Sequence, residues 1–146
     1  MRRRGNAIIE FALSFGLLFS VFAGVFQFGY AFVVYNNLQT AVRAGARYAS
    51  LRVYDSSTST PSAAYLAAVR NVVIYGDPSG SGPRRVPGLT PEQVQVTIIM
   101  DRNVPRDVSV AIVGYTLDAA VRSFTLNGKP KATMPYMGRF APDMGG

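Results

Sequence analysis

Hydrophobic residues are concentrated near the N-terminus, where charged residues are almost absent. The 27 residues from Ile8 to Val34 carry a single charge, that of Glu10. Coiled as an α-helix at about 1.5 Å per residue, this stretch is roughly 40 Å long, more than the ~30 Å hydrocarbon core of a bilayer. The pattern therefore predicts a membrane-spanning helix.

The helical pattern continues beyond the apolar run. Small and apolar residues recur at helical spacing, and polar residues occupy another face. No proline interrupts the chain before Pro61. We predict one helix from about Ala7 to Arg52, roughly 70 Å long. Its first half would lie in lipid or against similar helices, and its second half against a globular head. The apolar positions of the second half are Leu38, Ala41, Val42, Gly45, Tyr48 and Ala49.

The remaining residues alternate between short periodic segments and loops. Ser62 is in position to cap a second helix that runs to about Tyr75. The stretch 76–91 is rich in Gly and Pro, includes Gly80-Ser81-Gly82, and is predicted to be a loop. Val94 to Met100 alternates as a half-buried strand does. A turn over 101–107 and a second strand from Val108 to about Leu117 would complete a hairpin.

The C-terminal part is less regular. We expect a short helical turn over 117–124 and a third, short strand over 132–140. The predicted fold is α+β: a long N-terminal transmembrane helix that extends into a small head, built from one helix and an antiparallel β-hairpin or three-stranded sheet. The expected domains are a leader at 1–5, a membrane and assembly helix at 6–52, and an extracytoplasmic head at 53–146.

The composition argues against catalysis. Cysteine and histidine are both absent, which excludes thiolate chemistry, disulfides, most zinc sites and the usual base near neutral pH. The eight carboxylates are dispersed. A two-carboxylate or calcium site between Asp101 and Asp107 stays open, as does a Ser–Lys pair, but turn chemistry is the preferred explanation of the two aspartates. We expect that the chain is not an enzyme and that it binds no cofactor.

The net charge of +7 includes Arg2, Arg3 and Arg4, so the rest of the chain carries 7 − 3 = +4. Apart from Arg84 and Arg85, the other basic residues are scattered, which disfavours nucleic acid as a partner. The leader arginines adjoin the apolar run, which places the N-terminus in the cytoplasm. The chain is then expected to cross the membrane once, with its head on the side opposite the cytoplasm.

The first residues carry a more specific pattern. The order is Arg2-Arg3-Arg4-Gly5-Asn6-Ala7-Ile8-Ile9-Glu10-Phe11. It resembles the processing site of type IV pilin-like proteins, in which a basic leader and a Gly precede the scissile bond and Glu is the fifth mature residue. The resemblance implies cleavage by a prepilin peptidase between Gly5 and Asn6, and a role for Glu10 and Phe11 in assembly. Glycine lets an active site approach its carbonyl, and a carboxylate is favoured near a helix N-terminus.

A longer resemblance covers about the first 50 residues. Four stretches carry it: Gly5 to Leu13, Gln27-Phe28-Gly29-Tyr30, Val34 to Gln39, and Ala44-Gly45-Ala46-Arg47-Tyr48-Ala49. They are similar to the TadE-like pseudopilins of tight-adherence (Tad, or Flp pilus) systems, although Gln27 stands where that family often has Glu. The resemblance implies a minor pilin-like subunit that crosses a bacterial inner membrane once, with its head in the periplasm. Its expected partners are a prepilin peptidase, other pilin-like subunits, the inner-membrane assembly platform and membrane lipid.

Two alternatives stay open from the sequence. The chain could be an uncleaved signal-anchor protein whose periplasmic head binds a ligand or a partner. It could also be a secreted domain released by signal peptidase after Ala23, although the apolar run continues beyond that position.

Overall fold

The computed structural model describes residues 2–118 and 123–142. Its elements, in chain order, are helix α1 (Arg2–Leu51), helix α2 (Ala63–Tyr75), a 3₁₀ turn (Pro91–Gln93), and strands β1 (Val94–Asp101), β2 (Val104–Asp118) and β3 (Ser123–Pro135). The strands form one antiparallel sheet in the order β1-β2-β3. The fold is therefore α+β, and of the two predicted sheets the three-stranded one is formed.

Helix α2 begins and ends where its sequence predicts. Ser62 is the N-cap, and its hydroxyl accepts a hydrogen bond from the amide of Tyr65 at 3.1 Å. Gly76 ends the helix in the left-handed region at φ 84°, where its amide donates to the carbonyl of Val72. A residue with a Cβ is strained in that conformation, so glycine is the fitting residue for this end.

The core lies between the sheet and the two helices. The second half of α1 contacts α2 and both β2 and β3. A single cluster of buried apolar side chains joins the three layers, including Leu38, Val42, Val69, Val73, Val94, Ile98, Val110 and Ile112. The head is thus built around one half of α1, as the amphipathic pattern beyond Val34 predicts.

The first hairpin is tighter than predicted. A turn within 101–107 is present as predicted, but it consists of the pair Arg102 and Asn103, with φ angles of 49° and 63°, and does not include Pro105. Two consecutive positive φ angles give a two-residue turn whose twist matches that of the strands. Pro105 lies within β2 beside a register shift at Ile99 and Met100, where a missing backbone donor is tolerated.

The C-terminal strand is longer and earlier than predicted. The predicted range of the third strand, 132–140, is wrong, because β3 spans Ser123–Pro135. Phe140 lies outside β3 and forms an isolated parallel bridge with Tyr54. The helical turn over 117–124 is wrong at both ends. Leu117 and Asp118 belong to β2, and Ser123 and Phe124 to β3. The middle of that expected turn, 119–122, lies outside the described residues.

Candidate functional site: the two halves of the long helix

Helix α1 changes character near Val34. Its apolar side chains before that point are exposed, with Phe11 71% and Phe28 75% accessible. From Val34 onward a buried stripe begins, whose members recur three or four residues apart: Val34, Leu38, Ala41, Val42, Gly45, Ala46 and Ala49. That spacing places them on one face of the helix. One helix therefore has an exposed apolar half and a half that packs into the head.

The exposed half meets the requirements for crossing a membrane. The helix from Asn6 to Leu51 contains an 18-residue window with a mean hydropathy of 2.1, and none of that window is buried within the chain. An exposed apolar surface of this size is unfavourable in water, and lipid or another apolar partner would remove the cost. Length, composition and exposure together fit a protein that crosses a membrane once.

The residues expected at the processing site lie at the beginning of this half. Arg2, Arg3, Arg4 and Gly5 form the start of α1, so the bond between Gly5 and Asn6 lies within the helix. Glycine is a weak helix former, which reduces the cost of unwinding this turn in a protease cleft. The structure thus places Gly5 and Asn6 at the end of α1 that lies farthest from the head.

The two residues expected to act in assembly are both exposed and face different directions. Glu10 and Phe11 are neighbours in sequence and therefore point about 100° apart around the helix axis. Asn6 and Glu10 are four residues apart and share one face. Phe11 instead begins a row of stacked aromatic rings. The ring centroids of Phe11 and Phe15 are 6.0 Å apart, and those of Phe15 and Phe19 are 6.2 Å apart.

Acidic side chains of the head are held by neighbouring residues. Among the described residues, no group of three or more Asp or Glu side chains could hold a metal ion. Asp107, one of the two aspartates considered for a cation site, has its carboxylate 2.7 Å from Nε of Arg106. Asp77 accepts hydrogen bonds from the hydroxyls of Ser79 and Ser81, which lower the pKa of its carboxyl. Both carboxylates therefore have local structural partners.

The C-terminal segment closes the end of α1, a contact that sequence reasoning missed. The amide of Met137 donates to the carbonyl of Ser50 at 2.9 Å, and the amide of Ala141 donates to that of Tyr54 at 2.9 Å. The last carbonyls of a helix have no partner within it. The segment that follows β3 therefore supplies donors at the end of α1, where no glycine cap is present.

Several buried tyrosines lie where the C-terminal segment meets the end of α1, a region that we call the joint. Tyr54 meets Tyr65 edge-on with 5.3 Å between ring centroids, and the Tyr65 hydroxyl donates to the carbonyl of Ala49 at 2.6 Å. Burial raises the pKa of Tyr65 far above its ordinary value, and it also raises the pKa values of Tyr54 and Tyr136. A neutral phenol is favoured there because the phenolate would lose its hydration. The cluster is structural, and it fixes the head on α1.

Comparison with known proteins supports the resemblance of the N-terminal region. A TadE-like protein family model matches residues 5–47. No curated protein and no solved structure matches the chain. The match covers less than a third of the sequence, includes Gly5, Asn6, Glu10 and Phe11, and ends within the packed half of α1. Residues 5–47 are therefore similar to the TadE-like family, and the long apolar helix fits a protein that crosses a membrane once.

Proposed function

We propose that this chain is a minor pseudopilin, a structural and assembly subunit of a Tad-type pilus or secretion machine. The observation that carries the proposal is the division of α1. Its TadE-like sequence covers an exposed apolar half and continues into the half that builds the head. Such a helix can be held in lipid before assembly and against other subunits afterwards, while the head stays outside the membrane.

The proposal includes a maturation step at the beginning of α1. A prepilin peptidase would cleave between Gly5 and Asn6 and remove the leader with Arg2, Arg3 and Arg4. The mature chain would begin at Asn6, and Glu10 would be its fifth residue. The leader arginines support a cytoplasmic N-terminus, because positive charges flanking an apolar helix are retained on that side. The head would then lie in the periplasm of a cell whose inner membrane α1 crosses.

The exposed apolar surface of α1 also supports the binding partners that we propose. The exposed half of α1 offers rings and small residues side by side, which suits close packing between helices in lipid. We expect other pilin-like subunits and the inner-membrane assembly platform to bind this half, since the packed half is already occupied by the head. Among the described residues, the contacts of Val42 and Ala46 are inside the chain's own core.

The decisive experiment is the intact mass and the N-terminal sequence of the full chain, co-expressed with a tight-adherence prepilin peptidase. We expect a product that begins at Asn6. Gly5→Ala should abolish this product. Gly16→Ala is the matched control, because it is the same substitution on the same helix, and a Cβ at Gly16 has no atom within 4 Å. This control should be processed like the unchanged chain.

Other products would identify the alternatives. A full-length chain in every sample, with the peptidase shown to cleave another substrate, would reject the processing step and favour an uncleaved signal-anchor protein. A soluble product that begins at Gly24 would mean release by signal peptidase after Ala23. The second result would also require cleavage within α1, which is continuous through that position.

A further inference from the structure

The last residues of β2 and the first residues of β3 form a sheet segment with one apolar and one polar face. Leu117 pairs with Phe124 and Tyr115 with Leu126, while the intervening pair is Thr116 with Thr125. Paired residues lie on the same side of a sheet, and successive pairs alternate between its sides. The apolar pairs face α1. The threonines, whose hydroxyl oxygens are 3.4 Å apart, lie on the opposite face.

An open apolar groove of about 350 Å³ runs between this face and α1. Its α1 wall includes Phe28, Phe32 and Tyr35, and its hairpin wall is formed by Leu117, Phe124 and Leu126. None of these side chains is charged. The groove is also unevenly filled, because Leu117 is only 6% exposed whereas Phe124 remains 53% exposed. Packing against α1 therefore accounts for the burial of Leu117, whereas about half of the Phe124 side chain is exposed.

The position of the groove along α1 indicates what covers it. Phe28 is 20 residues after Ile8, the first strongly apolar residue, and so lies about 30 Å along the helix, near the end of the hydrocarbon core. Phe32 lies a turn farther, at the level of the lipid headgroups. Aromatic side chains are favoured at that level because a ring can contact acyl chains at one edge and water at the other. Phe124 is beside these residues, so its exposed half continues the lipid-facing surface of α1.

We propose that the apolar face formed by Leu117, Phe124 and Leu126 is a second membrane contact, in which Phe124 lies in the outer interface of the bilayer that α1 spans. The partner is lipid, at the boundary between acyl chains and headgroups. The inference rests on the proposed membrane anchoring of α1 and goes beyond it. It gives the head a fixed orientation on the membrane surface, with β2 pointing away from the bilayer.

The sequence allows a direct test, because the chain contains no tryptophan. Single-tryptophan variants of the full chain would be reconstituted in phosphatidylethanolamine–phosphatidylglycerol vesicles. The lipids would be brominated either near the headgroup end or near the end of the acyl chain. Phe124→Trp is the reporter. Val104→Trp is the matched control, because Val104 is similarly exposed at 49% and lies at the opposite end of β2, about 40 Å away at 3.3 Å per residue.

We expect the fluorescence of Phe124→Trp to fall about twofold with bromine near the headgroup end, as for a ring in the interface. Val104→Trp should not change. Thr125→Trp, on the polar face of the same hairpin, should be quenched less than Phe124→Trp. Leu126→Trp provides a second reporter on the apolar face if Phe124→Trp folds poorly. Acrylamide in the aqueous phase should give the reverse order of quenching.

Phe19→Trp separates this inference from the proposed function, because Phe19 is in the middle of the exposed half of α1. If bromine near the acyl-chain end quenches Phe19→Trp while both hairpin reporters behave like Val104→Trp, the hairpin contact is rejected and the anchor stands. If Phe19→Trp is not quenched, both are rejected. Shielding of Phe124→Trp that appears only at a high protein-to-lipid ratio would assign the groove to a second copy and overturn the lipid contact.

Discussion

Gly45 of α1 lies directly against Val73 of α2. A Cβ atom on Gly45 would overlap Cγ2 of Val73 and lie 3.8 Å from the carbonyl oxygen of Val69. The two helices therefore approach each other at a point where one of them has no side chain. Gly45 also falls inside the TadE-like stretch, so the matched sequence contains one of the contacts on which the head is built.

This contact predicts the effect of Gly45→Ala. Overpacking a core costs about 1–3 kcal/mol, whereas Ala gains about 1 kcal/mol over Gly inside a helix. We expect the overlap to dominate, because Val73 is fully buried and its branched side chain has little rotational freedom. The free energy of unfolding of the head, measured by urea denaturation in detergent, should fall.

Two further variants show whether the overlap is the cause. Gly29→Ala is the control, because nothing lies within 4 Å of a Cβ there, and it should not destabilise the head. Adding Val73→Ala to Gly45→Ala removes the overlapping methyl group, so the double variant should lose less stability than the two single losses added together. Stability of Gly45→Ala equal to that of the unchanged chain would contradict the prediction.

The hydroxyl of Tyr136 connects the C-terminal segment with the end of α1. It accepts a hydrogen bond from the amide of Tyr54 at 2.9 Å, and it lies 2.8 Å from the carbonyl oxygens of both Arg52 and Arg139. Removing one partner of such a network costs about 1–3 kcal/mol where the remaining groups are shielded from water. We expect Tyr136→Phe to lower the thermal midpoint of the head, followed by circular dichroism.

Tyr75→Phe is a suitable comparison for that substitution. Tyr75 is half-buried, and no side-chain hydrogen bond of its hydroxyl is seen in the described part of the chain. The same chemical change should therefore have little effect there. Equal losses in the two variants would mean that the ring of Tyr136, and not its hydroxyl, holds the joint.

Buried tyrosines predict a loss of stability at high pH. Burial raises the pKa values of Tyr54, Tyr65, Tyr115 and Tyr136, whereas an unfolded tyrosine titrates near its ordinary pKa of about 10. The folded state therefore holds these protons more tightly. Their contribution is fully present below about pH 10 and is lost as the pH rises through the folded-state pKa values.

Alkaline titration measures this effect directly. The absorbance of tyrosinate and the ellipticity of the head should change together above pH 10, because the buried phenols ionise only when the joint opens. Tyr65→Phe removes the group with the largest increase in pKa, so stability should fall less steeply with pH in that variant. Ionisation of all eight tyrosines at their ordinary pKa with the head still folded would contradict the prediction.

Local sequence signals were sufficient to predict that the two helices exist. The absence of charge from Phe11 to Val42 predicts α1, and Ser62 predicts the first turn of α2. These features depend on neighbouring residues alone. The structure has α2 at its predicted position and ends α1 near Arg52 as predicted, although α1 begins at Arg2 and not at about Ala7. The exposed half of the candidate site was predictable for the same reason, since an apolar run without charges indicates a lipid-facing surface wherever the head lies.

The sheet was harder to predict because distant partners decide it. Pro105 was expected to belong to the turn, but Arg102 and Asn103 form the turn, and the proline lies in β2 beside a bulge. Strand β3 contains Gly128 and Pro130, which are unusual within strands, yet β2 pairs on both sides of them. The hydrogen bond from the Tyr136 hydroxyl to the carbonyl of Arg52 connects residues 84 positions apart in the sequence, and no local pattern predicts such a contact.

Glu10 offers a test of assembly that is separate from processing. It is the only acidic residue before Asp55 and lies on the exposed half of α1, on the same face as Asn6. After cleavage, the amine of Asn6 in one subunit and this carboxylate in another could pair in lipid, where an unpaired charge is costly. We expect Glu10→Gln to be cleaved normally and to lose association with other pilin-like subunits.

The measurement combines intact mass with cross-linking in membranes that contain the other pilin-like subunits of the system. Glu10→Gln keeps the size of the side chain, so a loss of cross-linked product with normal cleavage would isolate the charge as the cause. Glu10→Asp restores the charge on a shorter side chain and should recover part of the association. Normal association of Glu10→Gln would show that the apolar surface of α1 is sufficient, and it would reject a pairing role for this carboxylate.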